Sequence, residues 1–489
     1  MQIACLGMSV LSLASVFSVA DTAEKGGKLL IGWASEDITP ENPVALAGQF
    51  HVRISKYVND PLTATALAIE SADENNANEQ AIMVSCDILG IEQEIQNRLR
   101  EMVKPKLPEF DTRKLFLNGT HTHTGPVMSE GRYPEQGEEV TTPTEYVNFL
   151  LNRLSDVVVA AWESREAGGV SWALSHAVVG HNRRAVYSDG SATMYGSTDR
   201  ADFSHIEGYE DHSVNLLFFW NQENELTGIV INIACTSQVT EGEYYVSADF
   251  WHEVRTELRK RYSESLFVLP QSSAAGDQSP HFLLSGKAEE NMRRRKGVSE
   301  REEIAIRIAD AVDYVFSGAR SDMQTAARLE HMVEDLGLPV RKVTEAELER
   351  AKSEYDRLMA KQPLDENSSD RSHLRRNKSL IDRYERQEEA SFYQMELHVI
   401  RLGDIAIATN PFELFLDYGI RIKARSKALQ TFVVQLACAS GGYLPTARGV
   451  AGGGYGAEIA SNRVGPEGGQ VLVDRIVELI SEMWDNEDR

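Results

Sequence analysis

Cysteine is nearly absent from this 489-residue chain: it has four, and only Cys86, Cys235 and Cys438 lie beyond residue 20. Three thiols make no disulfide framework, so the fold must close on an apolar core. Cys86 and Cys438 stand in apolar, strand-like runs and read as buried thiols. Positive charge is short too: 50 Lys and Arg against 74 Asp and Glu leave a formal net charge of −24. Such a surface repels nucleic acid and anionic membranes, so neither is an expected partner. Beyond residue 20 no apolar run is long enough to span a bilayer, and no transmembrane segment is expected. Internal repeats and low-complexity segments are missing as well.

What is present describes an ordinary globular protein, with 42% hydrophobic and 25% charged residues. Residues 1–20 read as a signal peptide: an apolar stretch from Cys5 to Val19, then small residues at Ser18-Val19-Ala20. No Lys or Arg precedes that stretch, and a buried N-terminal helix is the alternative. Export to the periplasm or medium is the expectation, with the mature chain beginning near Asp21.

The remainder, 21–489, reads as one α/β catalytic domain with a mixed β-sheet core and surrounding helices. Runs 63–69, 80–85, 114–117, 170–179, 214–220, 226–234, 266–270, 396–400, 405–409 and 431–437 have strand character. Helical periodicity marks 87–103, 145–166 and 468–482. A strand, helix and strand over 80–117 suggest a βα unit. The stretch 344–389 is dense in charge of both signs and reads as a helical hairpin inserted over the core.

Chemistry concentrates where the strand 114–117 ends, at Asn118-Gly119-Thr120-His121-Thr122-His123-Thr124-Gly125-Pro126. In extended backbone, residues i and i+2 share a face, so both imidazoles can reach one point. Two surface histidines are the plainer alternative. Strand-end loops of α/β proteins, however, are where binding sites collect, which favours a metal site. Asn182-Arg183-Arg184 reads, by itself, as surface charge. The small-residue loop Ser272–Pro280 allows close backbone approach.

The motif Asn118–Pro126 resembles the histidine motif of the neutral/alkaline (non-lysosomal) ceramidases, zinc amidases that cleave the N-acyl bond of ceramide. Further stretches are similar to that family's motifs in the same chain order. Asp37-Ile38-Thr39-Pro40 fits its opening, Asn182-Arg183 its site arginine, and Gly276-Asp277-Gln278-Ser279-Pro280 its G-D-x-S-P. Pro411-Phe412-Glu413 is similar to its P-G-E, and Tyr443 and Tyr455, twelve apart, match its two tyrosines. The resemblance spans about residues 30–470 and implies a divergent relative of the family's N-terminal catalytic domain.

By that resemblance Zn2+ is the cofactor, held by His121, Glu413 and Tyr443. His123, Arg183, Ser279 and Tyr455 become the catalytic residues. Taken alone, Glu413 would be a helix-start carboxylate and Tyr443 a core tyrosine. The family's further zinc histidine falls on Ala234, which cannot bind metal. Cys235 is the nearest substitute, with a packing role as its alternative, and His252 and His281 are other candidates. The chain stops soon after the tyrosine loop, where ceramidases continue into a β-sandwich.

The resemblance thus implies hydrolysis of a small-molecule or lipid amide by metal-activated water. Ser279 would position substrate, because no base partner for nucleophilic attack is evident. Two alternatives stand beside it: a zinc hydrolase of polar N- or O-acyl substrates such as acylated sugars, and a non-catalytic binding protein whose metal site has decayed.

Overall fold

Period-two alternation builds the architecture. Along Thr63–Ala72, Leu67 and Ile69 enter one apolar cluster, whereas Ala64, Ala66 and Ala68 enter another. Ile407 and Ala408 divide in the same way on Ile405–Thr409, as do Val230 and Ile231 on Leu226–Ile233. Strands buried on both faces must carry apolar residues at every position, which is why these runs look continuous in the sequence. The computed structural model describes residues 27–72, 78–361, 363–365 and 368–485. The expected signal segment and the polar turn after Ala72 lie outside the described residues.

Three large sheets result, beside a three-stranded and two two-stranded ones among the described residues. The first runs in the order Leu115–Gly119, Asn78–Cys86, Thr63–Ala72, Lys28–Asp37, Glu166–Ala167. The second runs Phe267–Ser272, Leu226–Ile233, Ser213–Trp220, Gly169–His176, and the third Leu329–Pro339, Phe392–Leu402, Ile405–Thr409, Gln430–Val434. One face of each meets the others in a shared core that includes Trp33, Met83, Phe116, Phe219, Leu269, Ile407 and Phe432. The outer faces are covered by helices. Gln93–Val103 and Pro143–Glu163 lie on the first sheet, Phe250–Arg261 and Glu300–Ser321 on the second, and Leu416–Arg425 and Pro466–Asp485 on the third.

A sequence without repeats thus folds into one unit used three times. Each sheet contains an antiparallel strand pair, a helix, and a strand parallel to the second of the pair. Parallel neighbours need such a crossover, and it leaves their C-terminal ends side by side. Three parallel pairs bring six strand-end loops together at one place.

The helix expected from residue 87 starts at Gln93 instead. Residues 87–92 form one of those loops, because the Asp87 carboxylate is taken by Arg255 at 2.7 Å and by the backbone N–H of Thr63 at 2.9 Å. The strand expected over 431–437 ends at Val434, and the Gly-rich stretch 441–456 contains the short helix Ala447–Gly452. The charged segment forms two helices, Glu345–Met359 and Asp370–Arg386. The first opens on a capping box between Thr344 and Glu347.

The first and third sheets are joined by a buried polar chain. The Nδ1–H of His331 donates to the Gln80 carbonyl at 3.0 Å, and its Nε2 lies 2.9 Å from His398 Nδ1. His398 Nε2 lies 2.7 Å from Glu396, which also pairs with Arg100 at 2.6 Å. Burial would raise the Glu396 carboxyl, but hydrogen bonds from His398 and Arg100 outweigh it and hold it at about 2. Burial, helped by His398, pushes His331 well below the usual imidazole range.

A group whose folded pKa is depressed takes up its proton more readily when unfolded. Stability is therefore full above the unfolded value of about 6.5 and falls with pH beneath it. Urea unfolding should show His331→Gln about 1–3 kcal/mol less stable than wild type at pH 7. Its stability should fall less steeply between about pH 6.5 and 5, by up to about 1.4 kcal/mol per pH unit. Parallel pH profiles of the two proteins would refute the neutral buried imidazole.

Candidate metal centre and active site

The six strand-end loops enclose a cluster of polar side chains. His121 has a left-handed backbone, φ 67°, a strained conformation for a non-glycine residue. Leu436 and Cys438 on the facing loop share it, at φ 56° and 65°. The turn swings the His121 ring so that Nδ1–H donates to the Leu89 carbonyl at 2.7 Å. Nε2 therefore carries a lone pair, and it points at Glu413 Oε2, 3.5 Å away. That carboxylate oxygen is buried and accepts no hydrogen bond. A buried charge without a donor is costly, and a cation is what would satisfy it.

Tyr443 is placed beside Glu413 by backbone pairing, since Glu413–Leu414 and Tyr443–Leu444 form a two-strand parallel ladder. Burial, then the Glu413 charge, push the Tyr443 hydroxyl well up. An imidazole nitrogen, a carboxylate oxygen and a phenol oxygen form a donor set that suits zinc and similar divalent ions. The residues present fit such a group, with the remaining coordination positions left to solvent or substrate.

His123 sits next to this set, its ring centroid 4.9 Å from that of His121. The Gln238 amide donates to His123 Nε2 at 3.0 Å, which leaves the proton on Nδ1, facing Glu241 Oε2 at 3.4 Å. Burial lowers the pKa of both imidazoles, that of His123 further, with the neighbouring His121 adding to the effect. Gly48 makes room for the ring: a Cβ there would stand 2.4 Å from His123 Cγ, and its φ is +95°.

Arg183 is buried rather than on the surface, contrary to the plain reading of the arginine pair. It donates to Tyr195 and Gly276 at 2.9 Å and to Gln238 at 3.0 Å, and it reaches within 3.9 Å of Glu413. Arg184 is buried too. It grips Glu207 through two bonds of 2.7 and 3.0 Å and holds the carbonyl of Tyr455 at 3.1 Å. Tyr455 packs edge-on against Tyr443, with centroids 5.4 Å apart, and lines the same cavity.

One expected residue, Cys235, stands elsewhere. Cys235 lies in the apolar core between the second sheet and its helices, and its thiol faces the carbonyls of Val179 and Thr236. None of its polar contacts is with His121, Glu413 or Tyr443, and burial pushes its pKa well up. Its position at the strand end turns the side chain outward, into that core. Ser279 is fully buried, and its hydroxyl accepts the His281 N–H at 3.3 Å. No imidazole nitrogen bonds it, but it bonds the Tyr195 hydroxyl that Arg183 reaches, so it backs the cluster.

His252 is half-buried on the helix Phe250–Arg261, where its carbonyl accepts from Thr256. His281 does reach the cluster, 3.3 Å from Glu241 Oε1. The reading of the sequence missed Tyr195, Gln238 and Glu241. Gln238 follows the Thr236-Ser237 segment and was within reach of that motif; no local pattern marks the other two.

Among the described residues, one group of His, Cys and carboxylate donors has all its ligand atoms within 4.8 Å of one another: Glu396, His398 and Cys438. Its donors are already spent, since both His398 nitrogens and Glu396 have protein partners. Glu413 Oε2 accepts no hydrogen bond, so the His121 cluster is the stronger candidate.

No protein-family model matches the sequence, and no curated protein matches it either. Solved structures do. Neutral ceramidase from Pseudomonas aeruginosa superposes with a TM-score of 0.66 at 16% identity, over 93% of this chain and 75% of that one. The fold is that of the neutral ceramidases. A ceramidase complexed with C2 gives a TM-score of 0.65 at 14% identity, over 94% of this chain and 76% of that one. Low identity over nearly the whole chain fits a divergent member of the ceramidase fold.

Gly48→Ala should cost about 1–3 kcal/mol through its left-handed backbone and the crowding of His123. Histidine side-chain NMR should show the His123 signals shifted and those of His331 unmoved. An unperturbed His123 would mean that the ring is not held by this contact.

Proposed function

We propose that the protein is a metal-dependent hydrolase of an N-acyl amide, with zinc as the ion and a reaction of the ceramidase kind. The carrying observation is Glu413 Oε2, buried without a hydrogen bond beside the free Nε2 of His121. An amide resists hydrolysis because water is a poor nucleophile and the tetrahedral oxyanion is unstable. A bound zinc ion would lower the pKa of water to about 7 and polarise the carbonyl.

The side chains do the rest. His121, Glu413 and Tyr443 would hold the ion, and the Leu89 carbonyl keeps His121 in the tautomer that can bind it. His123, a neutral imidazole with Nε2 held by the Gln238 amide and Nδ1–H facing Glu241, would position that carboxylate beside the site. Arg183 keeps its charge: burial opposes it, but Tyr195, Tyr443 and Glu413 push its pKa well up. A fixed guanidinium in a dry site stabilises developing negative charge more than it would in water. Tyr455, at the cavity wall, can donate to the same oxygen. The walls Phe50, Leu89, Val127, Met128 and Leu436 offer an apolar side for the acyl group.

Ala234, where the family resemblance places a histidine, favours a second reading, a binding protein with a decayed metal site. The orphaned carboxylate argues against it, since decay would leave Glu413 free to find a partner. Purified protein should hold about one zinc per chain, and His121→Ala and Glu413→Ala should each lose most of it. Hydrolysis of short-chain N-acyl amides should fall at least about 100-fold in both. Cys235→Ser should keep its zinc. Full metal occupancy in both site variants would overturn the assignment.

Export belongs to this reading as well. Mass spectrometry of protein from the host should find an N-terminus near Asp21, and intact Met1 in the cytoplasm would overturn it.

A further inference from the structure

The cavity that holds His121 and Glu413 opens sideways into a second one of about 590 Å³, and the two share Glu92, Arg132, Arg376, Ser440, Gly442 and Ser461. Five arginines line the second cavity: Arg132, Arg375, Arg376, Arg383 and Arg463. Glu92 is the carboxylate among its lining residues. Arg376 pairs with Glu458 at 2.8 Å. Arg375 and Arg383 are held by backbone carbonyls instead, of Gly131 and Arg132 for the first and of Asn462 and Arg463 among others for the second.

Carbonyl contacts orient a guanidinium without neutralising it. Burial and the nearby Arg341 and Arg463 push Arg383 down to about 10, and burial with Arg132 and Arg376 lowers Arg375. In a chain of net charge −24, nothing in the overall balance requires cations to gather here. Three of the five come from the helix Asp370–Arg386, whose Ser372 hydroxyl bonds the Phe50 carbonyl at 2.7 Å and fixes it over the rim.

We propose that this cavity is an anion subsite, and that the substrate is an amide whose amine portion carries a carboxylate or a phosphate. The inference rests on the hydrolase reading for the word amide, but the binding step stands apart from it. The acyl group lies along the apolar wall beside Leu89 and Val127, the scissile bond lies at His121, and the anion enters the arginine cavity. Planar guanidiniums held by carbonyls are suited to oxyacid recognition, since the geometry is set before the ligand arrives. Arg376 has Glu458, but a neutral lipid amide would leave Arg375 and Arg383 held by carbonyls alone.

Uncleavable sulfonamides test this without turnover. Calorimetry on the full-length protein would compare N-(octylsulfonyl)glycine with its glycinamide, and N-(octylsulfonyl)phosphoethanolamine with the matching ethanolamine. The expected result is at least tenfold tighter binding of one or both anionic members, weakened by raised salt. Whichever pair shows it identifies the group as carboxylate or phosphate. Arg132→Gln and Arg375→Gln should each cut the preference at least fivefold, whereas Arg350→Gln, the same charge change on the exposed face of the neighbouring helix, should not.

Equal affinities, no binding of either member, or a preference that survives both cavity variants would overturn the subsite. Thermal melts confirm that each variant is folded; if Arg375→Gln is not, Arg132→Gln decides, because its side chain anchors no backbone. Hydrolysis of N-octanoylglycine is read separately. An intact preference without hydrolysis would sink the hydrolase reading alone, and hydrolysis without a preference would sink the subsite alone.

Discussion

Strand ends in the middle of a protein leave backbone groups that must find partners, and six of them meet at one place here. Buried side-chain amides meet that demand across the sheets. Asn118 donates to the Pro270 carbonyl and Asn232 to that of Val433, and the Gln435 oxygen accepts from the backbones of Ala275 and Leu414. The bonds to Pro270, Val433 and Ala275 tie one sheet or its strand-end loop to another. An unpaired polar group at such depth costs about 1–3 kcal/mol, so the junction tolerates few substitutions. The site inherits its rigidity from this junction.

Rigidity matters because the cluster above it is electrostatically unfavourable. Three imidazoles, two carboxylates and one guanidinium crowd together, with His121 and Arg183 almost wholly buried. Histidine and carboxylate are paired, yet at 3.3–3.5 Å, longer than a charge-assisted hydrogen bond. The left-handed turns at His121, Leu436 and Cys438 add backbone strain. Locally unfavourable groups held by a well-packed frame are the usual mark of a working site.

The charged hairpin changes what that site can receive. Its helix Asp370–Arg386 buries little apolar surface, Leu380 being the main contact with Ile459 and Leu348. Most of its hold on the rim is polar, through Ser372, Arg375, Arg376 and Arg383. An element attached in this way adds recognition chemistry without disturbing the core, and so alters specificity independently of the reaction centre.

The sequence by itself determined the strands and the residues at their ends. Leu115–Leu117 is apolar without a break because it is buried on both faces, and Gly119, Gly125 and Pro126 stop it where the histidines begin. The fold class and the loop holding His121 and His123 were legible for that reason, whereas Arg183, Glu413, Tyr443 and Tyr455 were marked only by the resemblance to ceramidase motifs. Only the tertiary structure decided which side chains face inward. Cys235 is one residue from Ala234 and two from Ser237, and a strand-end twist sends its thiol into the outer core. Arg183 and Arg184 look like a surface pair and are both buried. Tyr195, Glu241 and the arginine cavity come from segments far apart in the chain. Local pattern records burial and turn; it does not record which loops of three separate sheets will face one another.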